Sequence, residues 1–346
     1  MIGPHRPRDV VSELVATGYA YPRLTIDNDE FFARCRFPIA DGLGGRASLV
    51  ADTRMQTRRW CGPGENTWTM AQAAVAMAMT DSPLPASEID LVIVSSCSTI
   101  PMVNAPNADN PVMADLAPLV LAQLGRDDGV AIDLKAGYCA GFLRGLEVMD
   151  AMLQTGAYRA GLVVASDEGG RFATAESNRS AFCFIVGDAA GAVVMKPRPR
   201  STVANRGFGL VDCLTRTVPS CADLTGWGAD GRSLYVKGAR AGATGLALLL
   251  DVGRELLARN HMTGADVDWL LPAQTHVATV EALCDGLNVP RGKLCWSGDV
   301  TGYSASASIA SSLGERRHAG TLRKGDLVLS LAVGAGMNVA AALYFC

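Results

Sequence analysis

The chain has 346 residues, 49% of them hydrophobic and 19% charged, with a formal net charge of −3. It is too apolar for a disordered chain and too long for one small module, so two lobes around separate parts of a core are expected. The 31 Lys and Arg offset 34 Asp and Glu, and only 6% of residues are aromatic, which leaves no basic footprint for nucleic acid and no stacking platform for single strands.

The ten cysteines include no CxxC pair, and the histidines (His5, His261, His276, His318) are scattered, which argues against a zinc site and a disulfide scaffold. No apolar signal segment opens the sequence, and its apolar runs fall far short of the ~20 residues that span a bilayer. A cytoplasmic protein with free thiols and no membrane partner is expected.

In chain order, residues 89–94 read as a buried strand and 113–124 as a helix kinked by Pro118. Residues 129–134 form a second strand, 140–154 a helix and 160–165 a third strand. This alternation predicts βα units and a mainly parallel sheet covered on both faces. The second half repeats the plan. Asp90-Leu91-Val92-Ile93-Val94 is echoed by Asp268-Trp269-Leu270-Leu271, and Gly137-Tyr138-Cys139-Ala140 by Gly302-Tyr303-Ser304-Ala305. The next strands, at 162 and 327, follow Cys139 and Ser304 at equal distance. Two similar α/β halves related by a pseudo-twofold axis are therefore expected, 1–196 and 197–346, joined by an irregular stretch at 197–230.

Cys139 stands apart from the other thiols. It falls at a strand-to-helix turn flanked by Gly137, Ala140 and Gly141, where a helix N-terminus lowers a thiol's pKa and small neighbours admit a ligand. Residues 136–146 (AGYCAGFLRGL) resemble the nucleophile segment of the β-ketoacyl-acyl-carrier-protein synthase III family, within the thiolase-like superfamily. Further segments fall in that family's order: 58–65 (RRWCGPGE), 187–194 (GDAAGAVV), 269–274 (WLLPAQ), 302–309 (GYSASASI) and 334–343 (GAGMNVAAAL). The resemblance implies a five-layered αβαβα fold, a homodimer, and acyl-coenzyme A or acyl-carrier-protein thioesters as co-substrates without a permanently bound cofactor. It places Cys139 as the nucleophile.

The family's carbon–carbon bond-forming members use a His and an Asn where this sequence has Ala273 and Tyr303. The sequence offers His276 instead. A helix beginning near Gln274 would put 273 and 276 on similar faces, and Asp299 would orient the imidazole. A Cys139/His276/Asp299 set would let the acyl-cysteine be attacked by a hydroxyl or amine. The oxyanion would lie on the backbone N–H groups of Cys139 and Gly336. Tyr138, Phe142 and Tyr303 would shape the pocket, and Arg58, Arg59 and Trp60 would hold the donor. Ser304 would cap its helix.

The function expected on this basis is acyl transfer in antibiotic or polyketide biosynthesis, carrying a malonyl or aryl group to a small-molecule acceptor such as a sugar or cyclitol. The alternatives are a decarboxylating β-ketoacyl synthase III and a non-catalytic synthase-like partner subunit.

Overall fold

The computed structural model describes residues 10–35, 45–98, 115–135, 137–173, 182–199, 208–227 and 234–346. The first half runs β1 (Val10–Ala20), β2 (Leu24–Asp27), α1 (Asn28–Cys35), α2 (Gly45–Thr53), β3 (Thr57–Trp60) and α3 (Thr67–Asp81). It continues through β4 (Leu91–Ser95), α4 (Leu116–Gln123), β5 (Val130–Leu134), α5 (Gly141–Leu153), β6 (Gly161–Glu168), α6 (Phe182–Ile185) and β7 (Asp188–Pro199). The second half begins with β8 (Gly209–Thr217), β9 (Thr225–Trp227), β10 (Leu234–Val236) and α7 (Gly238–Arg259). It ends with β11 (Trp269–Pro272), α8 (Val277–Leu287), α9 (Gly298–Thr301), α10 (Ala307–His318), β12 (Leu327–Gly334) and β13 (Asn338–Phe345).

Two sheets carry the architecture, ordered β1-β7-β6-β4-β5 and β11-β12-β13-β8. Both are mixed rather than mainly parallel. β4 pairs in parallel with β5 and β6, and β11 with β12, whereas β1/β7, β6/β7, β12/β13 and β13/β8 are antiparallel. The parallel strands behave as burial on both faces requires: Leu91–Ser95 is an unbroken buried run. Of the antiparallel pairs, β6/β7 and β12/β13 are joined without an intervening long helix, whereas β1 and β8 pair with strands distant in the chain.

Five layers follow from the contacts. Helices α3 and α4 cover the outer face of the first sheet, and α7 and α8 cover the second. Between the sheets lie α5, which touches β4 and β6 on one side and β8, β12 and β13 on the other, and α10, which packs on β1, β7 and β11. A helix enclosed from both sides needs small residues. Ala307, Ser308, Ala310, Ser311, Ser312 and Gly314 of α10 are all buried, and a Cβ on Gly191 of β7 would lie 2.3 Å from the Ala310 carbonyl carbon.

Pro118 does not kink α4. The helix starts at Leu116, so Pro118 occupies its first turn, where no intrahelical N–H bond is lost. Within the stretch expected to be irregular, 197–230, the described residues include the end of β7 at Pro199 and the whole of β8, which lies against β13. Among the described residues no helix is long and apolar enough to cross a membrane, and all ten cysteines are free thiols.

Candidate active site

Cys139 lies in a single 3₁₀ turn, Tyr138–Ala140, that leads directly into α5. Gly137 (φ +96°) and Tyr138 (φ +44°) both take left-handed backbone conformations. For a tyrosine this is a strained state that the surroundings must hold in place. Two close approaches do so: a Cβ on Gly141 would lie 2.0 Å from the Ser95 Oγ, and one on Gly334 would lie 1.9 Å from the Gly137 carbonyl and 2.8 Å from the Cys139 nitrogen. The ends of β4 and β12 thus pin the turn from both sheets.

The thiol opens into a cavity of about 710 Å³. Its walls include Cys97, Tyr138, His276, Tyr303 and Gly336. The Cys97 thiol, donating toward Cys139, holds the Cys139 thiol below the ordinary range, with the Tyr303 hydroxyl and the Cys139 N–H acting in the same sense against burial and Asp167. The split between the two thiols follows from their positions. Cys139 heads a helix, whose positive end favours thiolate. The proton stays on Cys97 because of its bond to Cys139, its burial and the neighbouring Asp167 carboxylate. Burial together with the Cys139 charge keeps the Tyr303 hydroxyl protonated, well above the usual tyrosine range.

Cys97 and Asp167 were not anticipated. Asp167 is fully buried and gathers six donors. Oδ1 accepts from the Ser96 hydroxyl (3.1 Å), the Cys97 N–H (2.6 Å), and the Ser98 N–H (2.9 Å) and hydroxyl (3.0 Å). Oδ2 accepts from the Ser306 N–H (2.9 Å) and hydroxyl (2.5 Å). Burial pushes its carboxyl upward and these donors oppose the shift. A sequence signal existed: Ser95-Ser96-Cys97-Ser98 follows the carboxyl end of a buried parallel strand, the place where open α/β sheets bind ligands.

His276 faces the cavity, but not from the expected helix face. The Thr275 N–H turns back to the Ala273 carbonyl (2.7 Å), and α8 starts only at Val277 with His276 as its N-cap residue. Gln274 rivets this turn to the Cys295 carbonyl (3.1 Å) and the Ser297 N–H (2.7 Å). Burial lowers the His276 pKa, against the pull of the Asp52 carboxylate, so the imidazole is neutral at neutral pH. Asp299 does not join it. Its carboxylate accepts from the Gln56 side chain at 2.9 Å and its carbonyl from the Gln56 N–H at 2.8 Å, so the expected triad is not assembled.

The expected donor-binding trio also resolves differently. Arg58 is fully buried. Its guanidinium donates to the Asp27 carbonyl (3.0 Å) and Asn28 (2.9 Å) and stacks on Phe31 and Phe184. Desolvation lowers its pKa to about 10. Trp60 donates to the Val186 carbonyl (3.0 Å), supporting the cavity wall from behind. Arg59 lies on β3, which pairs antiparallel with β2, outside the cavity lining. Phe142 is buried in the core rather than in the pocket. Ser304 is buried, and the N-cap of α10 is Ser306. Among the described residues no cluster suited to a metal ion occurs.

Two mixed sheets enclosing a shared helical layer, with a cysteine at the head of one of its helices, define a thiolase-like enzyme. Residues 132–210 match the family of 3-oxoacyl-[acyl-carrier-protein] synthase III, and residues 257–345 match its C-terminal part. The β-ketoacyl-[acyl-carrier-protein] synthase III of Sphingopyxis alaskensis is 30% identical over 339 residues, 95% of this chain and 97% of that one. That of a Roseiflexus species is 30% identical over 317 residues, 84% and 87% of the two chains. Among solved structures, the priming β-ketosynthase of the R1128 polyketide pathway superposes with a TM-score of 0.82 at 25% identity, covering 99% of this chain and 98% of that one. The chain belongs to the β-ketoacyl-[acyl-carrier-protein] synthase III family.

These relatives overturn the expectation of acyl transfer to an oxygen or nitrogen acceptor. They are β-ketoacyl synthases, and this agrees with the decarboxylating alternative. The inference from Ala273 and Tyr303 failed because it took two substituted positions as a lost activity without knowing which other donors the fold brings to the cavity.

Proposed function

We propose that the protein is a decarboxylating β-ketoacyl synthase. The Cys139 thiolate attacks the carbonyl carbon of an acyl thioester, carried by coenzyme A or a carrier protein; the donor's carbon–sulfur bond breaks, and the donor leaves as a thiolate that takes a proton from solvent. The acyl-cysteine is then attacked by the α-carbon of a malonyl thioester as its carboxylate departs as carbon dioxide. A new carbon–carbon bond forms, and the thiolate of Cys139 is regenerated. The backbone N–H groups of Cys139 and Gly336 receive the oxyanion, each such donor contributing about 2.7–4 kcal/mol. The Tyr303 hydroxyl and the neutral His276 imidazole take the places of the family's Asn and His as polar groups facing the reacting carbonyls. No permanently bound cofactor is required by this scheme.

The observation that carries the reading is Cys139 at the head of α5, its thiol held low and opening onto a cavity shared with Tyr303 and His276. The two halves, 1–196 and 197–346, act as one catalytic unit. A homodimer would form at β5, which is an edge strand with Val130 exposed. The test is intact-protein mass spectrometry with acyl-coenzyme A donors, followed by carbon dioxide release from a malonyl thioester. The expected result is one acyl mass on Cys139, none on Cys139→Ala, and carbon dioxide stoichiometric with β-ketoacyl product. Acylation without carbon dioxide release would overturn the reading.

A further inference from the structure

Two of the ten cysteines share one space. Cys97 and Cys139 both line the cavity and both are half-buried, whereas the other eight thiols lie outside its walls. Their closeness follows from the packing of β4 against the head of α5. A Cβ on Gly141 would lie 2.0 Å from the Ser95 Oγ, so the chain leaving β4 passes beside the Cys139 turn, and the Cys97 side chain hydrogen-bonds the Cys139 thiol. Both backbones are held. The Cys97 N–H is tied to the buried Asp167 carboxylate at 2.6 Å, and Gly334 abuts the Cys139 nitrogen from the other sheet.

In the run Ser95-Ser96-Cys97-Ser98 the single cysteine falls at the position that meets Cys139, while the Ser96 and Ser98 hydroxyls turn to Asp167. A serine hydroxyl at 97 could also donate to a thiolate. What a thiol adds is redox chemistry. A thiolate in an open cavity reacts with hydroperoxides, and its sulfenic acid proceeds to an irreversible sulfinic acid unless a second thiol condenses with it first.

We propose that Cys97 is the resolving thiol of a reversible oxidation site, at which hydrogen peroxide joins Cys97 and Cys139 in a disulfide. The Cys139 thiolate attacks one peroxide oxygen, the oxygen–oxygen bond breaks, and the second oxygen leaves as hydroxide that takes a proton from solvent. Cys139 is thereby oxidised to a sulfenic acid, and the peroxide is reduced to water. The Cys97 sulfur then attacks the sulfenic sulfur. A sulfur–sulfur bond forms, the sulfur–oxygen bond breaks, and hydroxide departs as water with the Cys97 proton. The first step eases the second, because the Cys139 charge and the bond to it, which help keep Cys97 protonated, are gone once Cys139 is a neutral sulfenic acid. A dithiol reverses the disulfide by exchange and returns the nucleophile. Peroxide thus silences the enzyme without destroying it, whichever reaction the acyl-cysteine undergoes.

The experiment treats the reduced full chain with hydrogen peroxide and follows intact mass, peptide map and Cys139 labelling by iodoacetamide. Wild-type protein is expected to lose two hydrogens in mass, to yield one disulfide-linked peptide pair joining Cys97 and Cys139, and to lose labelling until dithiothreitol restores it. Cys97→Ser keeps a donor but no resolving thiol. Its Cys139 is expected to gain two oxygens as a sulfinic acid, with a loss of labelling that dithiothreitol does not reverse. Sulfinic acid on wild-type Cys139 without the link to Cys97, a link from Cys139 to another cysteine, or no reaction with peroxide would overturn the proposal. So would recovery of labelling in Cys97→Ser equal to that of the wild type. If the serine variant does not fold, the wild-type peptide map decides by itself.

Discussion

The two halves present the same tetrad at the heads of two enclosed helices and use it for opposite purposes. Gly137-Tyr138-Cys139-Ala140 precedes α5, and Gly302-Tyr303-Ser304-Ala305 precedes α10. Each begins with a glycine of positive φ, +96° and +77°. The strained non-glycine residue then differs: it is Tyr138, just before the cysteine, in one turn, and Ala305, just after the serine, in the other. With the distortion ahead of it, Cys139 opens to the cavity while Tyr138 is 41% exposed. With the distortion behind it, Ser304 is buried and Tyr303 is drawn in to 2% exposure beside the nucleophile. A two-residue shift of one unfavourable φ separates a reactive head from a structural one.

Removing the reactive head should have the largest effect. Cys139→Ala is expected to lose on the order of 10³-fold or more in product formation, assayed by condensation rate, because no other group supplies the covalent step. The structural head is tested through stability. Asp167→Ala leaves the donors of Ser96, Cys97, Ser98 and Ser306 without their acceptor in a fully buried place. Each orphaned donor costs about 1–3 kcal/mol, so urea unfolding should show a loss of at least about 3 kcal/mol. A loss below 1 kcal/mol would mean that the carboxylate is not the tie between the heads.

The third test concerns the proton. Cys97 holds the Cys139 thiol low by donating toward it; removing a donor to the charged form raises a pKa. In Cys97→Ala the rate of Cys139 alkylation by iodoacetamide should therefore inflect at higher pH than in the wild type. A downward or absent shift would contradict the role given to Cys97. The smallest effect is expected of Ser304→Cys, which places a thiol at the equivalent position of the other head. It should acquire no acyl mass, since Ser304 does not line the cavity; acylation there would show that the tetrad, not its surroundings, makes the nucleophile.

Much of this was legible in the sequence. The Cys139 turn, the repeated tetrad and the central strands follow from local pattern, because small residues, β-branched runs and helix-period apolar residues encode themselves within a few positions. What escaped depends on chain segments far apart. Asp167 and Cys97 are joined across 70 residues, and Ser306 reaches Asp167 across 139. Arg58 was assigned to the donor, but in β3 it is the one buried residue of Thr57–Trp60, and the groups that enclose it, Asp27, Asn28, Phe31 and Phe184, lie elsewhere in the chain. His276 was placed on the wrong face because a turn at Thr275, held by Gln274, moves the start of α8 to Val277, and Asp299 is instead held by Gln56, 243 residues away in the chain.

Asp167 also orders events in time. Its first four donors come from residues 96–98 and the last two from Ser306. A chain emerging in synthetic order therefore possesses its cysteine, and the strand that carries Asp167, long before the residue that completes the cage around that carboxylate. Until then the floor beneath the thiol is unfinished, and β12 has not yet arrived to pin the turn through Gly334. A half-made polypeptide thus holds Cys139 without the residues that fix its turn.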